Sequence, residues 1–142
     1  MDITTKSVRE SEGYEYAVDD KGNATIVGCS PVLIGNHTVP SVIEGHPVKK
    51  IGKGAFSSAS LTGVVIPSSI EEIGGGAFYW CANLASVRIG EGVSKIGDSA
   101  FAVCPKLVSV TIPSSVTEIG DLAFHKCTSL TSIAFNDGLK KI

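Results

Sequence analysis

The sequence predicts an α+β repeat fold: a solenoid of stacked coils with parallel strands, short helical or 3₁₀ turns and an N-terminal β cap. Three observations lead there. Related segments begin at Ile73, Ile96 and Ile119, each 23 residues after the last, and a copy one residue shorter begins at Ile51. Each segment contains a short stretch of two-residue alternation, the mark of a half-buried strand. No segment carries enough apolar surface to build a core alone, so copies must stack on one another.

The strand of a typical copy is read from Leu107, Val110 and Ile112, with Ser109 and Thr111 pointing the other way. Pro113 follows; lacking an N–H and fixed in φ, it suits a strand end. A second extended piece runs from Val116 to Ile119, Gly120 permits a sharp turn, and Asp121 to Lys126 reads as a helical or 3₁₀ turn carrying Ala123 and Phe124 inward. Stacked copies align Phe56, Phe78, Phe101 and Phe124 in one column and Cys81, Cys104 and Cys127 in another. Successive strands should pair in parallel at about 4.7–4.9 Å.

Ahead of the repeats, residues 14–50 read as a cap. Two alternating strands flank a turn at Asp19 to Asn23, and a degenerate repeat leads into the first full coil. Residues 1–13 are expected to be a flexible leading segment, and residues 51–142 four repeats whose C-terminal end is uncapped.

Bulk properties narrow the function classes. At 142 residues the chain is one domain of ordinary size. Its net charge of -2 gives no electrostatic reason to expect nucleic acid or an anionic membrane. No apolar run is long enough for a membrane-spanning helix, so membrane insertion is not expected. The N-terminus is polar, without the apolar core of a signal peptide; this fits a cytoplasmic protein or a mature one lacking its leader.

The repeat resembles the leucine-rich repeats of the BspA-like family, also called the Treponema pallidum type. The residues carrying the match are Leu107, Val110, Ile112, Pro113, Val116, Ile119, Gly120, Ala123, Phe124 and Cys127, and the likeness extends over Ile51 to Ile142. Gly90 and Asn136 replace the proline, and the first copy has no cysteine. The resemblance implies a surface or secreted protein, an adhesin that binds a host or cell-surface protein or glycan. The alternatives are a structural spacer or assembly module of a longer surface protein, and a cytoplasmic location.

Chemistry-bearing residues are few. Stacked cysteines have parallel Cα–Cβ vectors, which suit neither a disulfide nor a tetrahedral zinc, so a ladder of buried thiols is expected. His37, His46 and His125 share no motif, and no nucleophile–base pair or phosphate-binding loop is present, so neither catalysis nor a cofactor is expected. Asn23 and Asn36 each open an N-glycosylation pattern, but such matches are frequent by chance and the reading as turn asparagines is preferred.

Recognition residues are sought where an outward column varies on the repeated scaffold. Arg88 and Thr111 stand on the strand face, Lys95 on the second extended piece, and Tyr79 and Trp80 in the loop after Phe78. Exposed aromatic residues are favoured interface anchors, which makes Tyr79 and Trp80 the leading candidates. The final strand and the column ends at Leu130, Ile133, Phe135 and Leu139 are expected to lie exposed, and could pair two chains end to end.

Overall fold

The computed structural model describes residues 8–135. The cap opens with β1 (Arg9–Ser11), β2 (Tyr14–Val18) and β3 (Ala24–Cys29), antiparallel in that order. β1 falls within the stretch 1–13, so pairing begins ahead of Tyr14; the flexibility expected of residues 1–7 lies outside the described residues. Between β2 and β3 the Asp19 carboxylate accepts the backbone N–H groups of Lys21 and Asn23, each at 2.9 Å. This is the turn the sequence marks there.

Next come β4 (Ile34–Thr38), β5 (Val42–Ile43) and β6 (His46–Ile51). β5 and β6 form a tight hairpin whose two turn residues, Glu44 and Gly45, both have positive φ, 47° and 82°. That conformation matches the right-handed twist of the flanking strands. β4 and β6 already belong to the two sheets of the solenoid.

Each of the first three full coils then contributes one strand to each sheet, and the fourth adds β13 within the described residues. β7 (Ser60–Ile66), β9 (Ser86–Ile89), β11 (Ser109–Ile112) and β13 (Ser132–Phe135) continue from β4 as a parallel five-stranded sheet. β8 (Glu72–Ile73), β10 (Lys95–Ile96) and β12 (Glu118–Ile119) continue in parallel from β6, which also pairs with β3. Equivalent residues pair directly, Ser86 with Ser109 with Ser132 and Ile73 with Ile96 with Ile119. The repeat register is therefore the hydrogen-bond register.

The third side of the coil corrects the expected helical or 3₁₀ turns. The described residues contain no helix, so the architecture is a β-solenoid rather than an α+β fold. The cause lies in two columns of left-handed backbone. Gly54, Gly76, Ser99 and Leu122 have φ of 67°, 61°, 56° and 58°; Ser58, Trp80, Val103 and Lys126 have 60°, 59°, 58° and 57°. A left-handed residue interrupts a right-handed helical run and turns alternate N–H groups along the stack. Phe56 thus donates to the Ala77 carbonyl at 2.7 Å, Phe78 to Ala100 at 2.7 Å and Phe101 to Ala123 at 2.8 Å. Turns close within each coil as well, as in Ala77 N–H to Gly74 O at 3.2 Å. This side is a stack of β-turns laddered from coil to coil, and it satisfies backbone groups that a helix would have satisfied internally.

Phenylalanines from these turns fill the interior. Phe56, Phe78, Phe101 and Phe124 stack with ring centroids 5.0, 5.1 and 5.5 Å apart and nearly parallel planes. Tyr14 of the cap closes the column edge-on against Phe56, at 6.2 Å and 79°. Close stacking also dictates where side chains are forbidden: a Cβ on Gly97 would lie 2.6 Å from the Gly75 nitrogen in the preceding coil. At the far edge of the five-stranded sheet, Phe135 is exposed while Leu130 and Ile133 are half-buried. The expectation for Leu139 lies outside the described residues.

Candidate recognition site

An open groove of about 690 Å³ lies on the turn side, running from coil one to the start of coil four. Its floor is backbone, from Gly54, Gly75, Gly76, Gly97 and Gly120, where missing side chains leave the depression. Tyr79 forms one wall, and Lys53, Glu72, Lys95, Asp98 and Glu118 bring both signs of charge to the others. The register explains part of this set. Lys50, Glu72, Lys95 and Glu118 sit directly beside one another on β6, β8, β10 and β12, an alternating row of charge across the sheet. Lys50 reaches Glu72 at 3.9 Å and Lys49 reaches Glu71 at 3.8 Å; Lys95 makes no ion pair that close among the described residues.

Trp80 stands beside the groove. Its ring is 56% exposed and meets Tyr79 edge to face, with centroids 6.1 Å apart. Its left-handed backbone costs roughly 1–2 kcal/mol for a residue with a Cβ. The Trp80 N–H donates to the Ala102 carbonyl at 2.9 Å, which holds the strained conformation in place. The equivalent positions carry Ser57 and Ser58, Ala102 and Val103, and His125 and Lys126, so the second full coil alone presents an aromatic pair here.

Arg88 and Thr111 lie elsewhere. They are register partners on β9 and β11, at outward positions of the five-stranded sheet. One outward row there reads Asn36, Gly63, Ser86, Ser109, Ser132, and the next Thr38, Val65, Arg88, Thr111, Ala134. A second, smaller concavity of about 370 Å³ opens on this face, lined by Asn36, Thr38, Gly63, Ser86 and Arg88 among others. The two concavities share no residue. The five candidate residues therefore divide into Tyr79, Trp80 and Lys95 at the groove and Arg88 and Thr111 on the strand face.

Sequence reasoning did not select the groove's Lys53, Asp98 and Glu118 or the cleft's Asn36 and Gly63 as recognition residues. The one signal available for the cleft was Gly63, a glycine in a column otherwise filled by Ser86, Ser109 and Ser132. Some variable outward residues proved structural instead. Ser94 donates its hydroxyl to the Glu71 carbonyl at 3.2 Å and Thr117 to the Ser94 carbonyl at 3.3 Å.

The thiols form the expected ladder. Cys81, Cys104 and Cys127 are free, buried, and donate to the carbonyls of Phe56, Phe78 and Phe101 at 3.2, 3.3 and 3.0 Å. His46 is held in the cap by the Gly22 carbonyl at 2.9 Å and by Arg9 at 3.2 Å, while His37 faces the Tyr14 hydroxyl at 3.5 Å. No group of three or more His, Cys, Asp or Glu side chains is placed to hold a metal among the described residues.

A parallel β-solenoid with a Phe column, a Cys column and Ile-Gly turns defines a leucine-rich-repeat protein. Residues 49–142 match the family model of the BspA type leucine rich repeat region, with six copies, and the chain belongs to that family. Among solved structures it is similar to a leucine-rich repeat protein from Bacteroides capillosus, at 31% identity and TM-score 0.83, covering 92% of this chain and 99% of that one. It is also similar to a leucine rich cell surface protein from Faecalibacterium prausnitzii, at 30% identity and TM-score 0.69, over 94% of this chain but only 44% of the other. The leucine-rich repeat protein of T. pallidum matches at 28% identity and TM-score 0.69, over 89% of this chain and 71% of that one. No curated protein matches the chain.

Proposed function

We propose that this chain is a non-catalytic recognition module of a cell-surface or secreted protein, an adhesin that holds a protein or glycan ligand in the Tyr79 groove. The observation that carries the reading is the Tyr79–Trp80 pair: two exposed aromatic rings at a polar groove, found in one coil alone. Aromatic side chains supply contact area at low entropic cost. Lys95 adds a charged donor with no ion-pair partner among the described residues, and the alternating charge row offers donors and acceptors to a polar ligand.

The surface location draws support from the related F. prausnitzii protein, described as a leucine rich cell surface protein. The non-catalytic reading draws support from the family and fold, a leucine-rich-repeat solenoid. The test is a screen of the purified chain against host matrix proteins and glycans, repeated with Tyr79→Ala and Trp80→Ala. A ligand held by the wild type and lost by both variants supports the reading. A ligand held equally by all three moves recognition off the groove, and no ligand at all favours a structural spacer.

A further inference from the structure

The strand-face cleft has a chemistry of its own. Among the outward positions of β4, β7, β9, β11 and β13, Arg88 is the one charged residue, and no carboxylate lies within ion-pair distance of it among the described residues. Its neighbours are small and polar: Asn36 and Thr38 on β4, Ser86 on its own strand, Thr111 across the register. None of these side chains makes a hydrogen bond to another described residue. Gly63 lacks a side chain where Ser86, Ser109 and Ser132 carry one, and the Asn36 and Ser86 side chains occupy the space it leaves. A Cβ there would run into the Asn36 Oδ1 and lie 2.7 Å from the Ser86 Oγ.

A guanidinium is a planar fork of N–H donors whose geometry matches a carboxylate, and a charge-assisted bond of that kind is about twice as strong as a neutral one. The hydroxyls and amide around it match the hydroxyl groups of a sugar.

We propose that this cleft binds an acidic sugar residue, with Arg88 taking the carboxylate and Asn36 and Ser86 the adjoining hydroxyls. The inference stands apart from the Tyr79 groove, with which the cleft shares no residue.

The test is calorimetric or NMR titration of the full chain with glucuronate, glucose and N-acetylglutamate amide. Glucuronate is expected to bind at least about tenfold more tightly than glucose, and Arg88→Gln to remove that advantage. Gly63→Ala provides the second variant. It keeps the charge but pushes the Asn36 and Ser86 side chains from their places, and its Cβ meets side chains rather than backbone, so the fold is retained. It too should weaken glucuronate by at least about tenfold. Equal affinity for glucose and glucuronate, undiminished binding in either variant, tighter binding of N-acetylglutamate amide, or no binding of glucuronate by the wild type would each overturn the proposal.

Discussion

The rings of Phe78 and Phe101 lie 5.1 Å apart, centroid to centroid, and only 3° from parallel, although 23 residues separate them in the chain. The contact links the levels of the structure. An identical residue at an identical position in each coil, combined with an in-register ladder, forces like side chains into a column. Phe101 is fully buried within that column, between Phe78 and Phe124.

Phe101→Ala should therefore lower the unfolding free energy by about 3–5 kcal/mol, the range for truncating a core Phe. Urea denaturation followed by circular dichroism measures it. A loss below about 1 kcal/mol, the size of an ordinary surface effect, would contradict the stacked-coil core.

The thiol ladder carries a pH dependence. The neighbouring Cys127 thiol pulls the Cys104 thiol down, but Cys81 and burial push it up, and it settles at about 11 against an ordinary value of 9.0. A raised folded pKa means that between about pH 9 and 11 the unfolded chain loses this proton while the folded one keeps it. The stabilisation is thus complete below pH 9 and is lost as pH rises through about 11. Stability measured at pH 8 and pH 10.5 should fall less in Cys104→Ala than in the wild type. Equal falls would sink the assignment. In native buffer at pH 8, Cys81, Cys104 and Cys127 should also resist thiol reagents until the protein unfolds.

Leu122 offers a test of the left-handed columns. It is 60% exposed with φ of 58°, at the position filled by Gly54 and Gly76 in earlier coils. Leu122→Gly removes little buried surface and relieves a Cβ from a crowded conformation. It should raise stability by about 1 kcal/mol, the scale of a left-handed residue less the entropy glycine adds to the unfolded chain. Thermal denaturation reads the sign; destabilisation would show that the turn is not left-handed there.

Much of this fold was legible because repetition converts sequence columns into spatial neighbours. The strand around Val110 and Ile112, the buried Cys column and the hairpin at Asp19 to Asn23 followed from period and turn chemistry alone. The turns at Ala123 and Phe124 were misread because a short run of helix-compatible residues gives no sign of left-handed φ when Ser99, Leu122, Val103 and Lys126 occupy the special positions instead of glycine. What decides the conformation is the hydrogen bond to the next coil, which is a tertiary fact. The candidate site was half legible for a similar reason. Varying columns picked out Tyr79, Trp80, Lys95, Arg88 and Thr111, yet which of them share a concavity depends on how the coil folds back on itself, and that placed them in two groups.

Recognition at the groove is the central claim, and Trp80 reports on it directly, being the single tryptophan of the chain. Any ligand found by screening should be titrated while Trp80 emission is recorded, in the wild type and in Tyr79→Ala. Occupation of the groove predicts a saturable shift in emission that follows binding, and at least about tenfold weaker binding once the Tyr79 ring is gone, as for an interface anchor worth 1.4 kcal/mol or more. Binding that saturates with Trp80 emission unchanged, and with equal affinity in Tyr79→Ala, would contradict it.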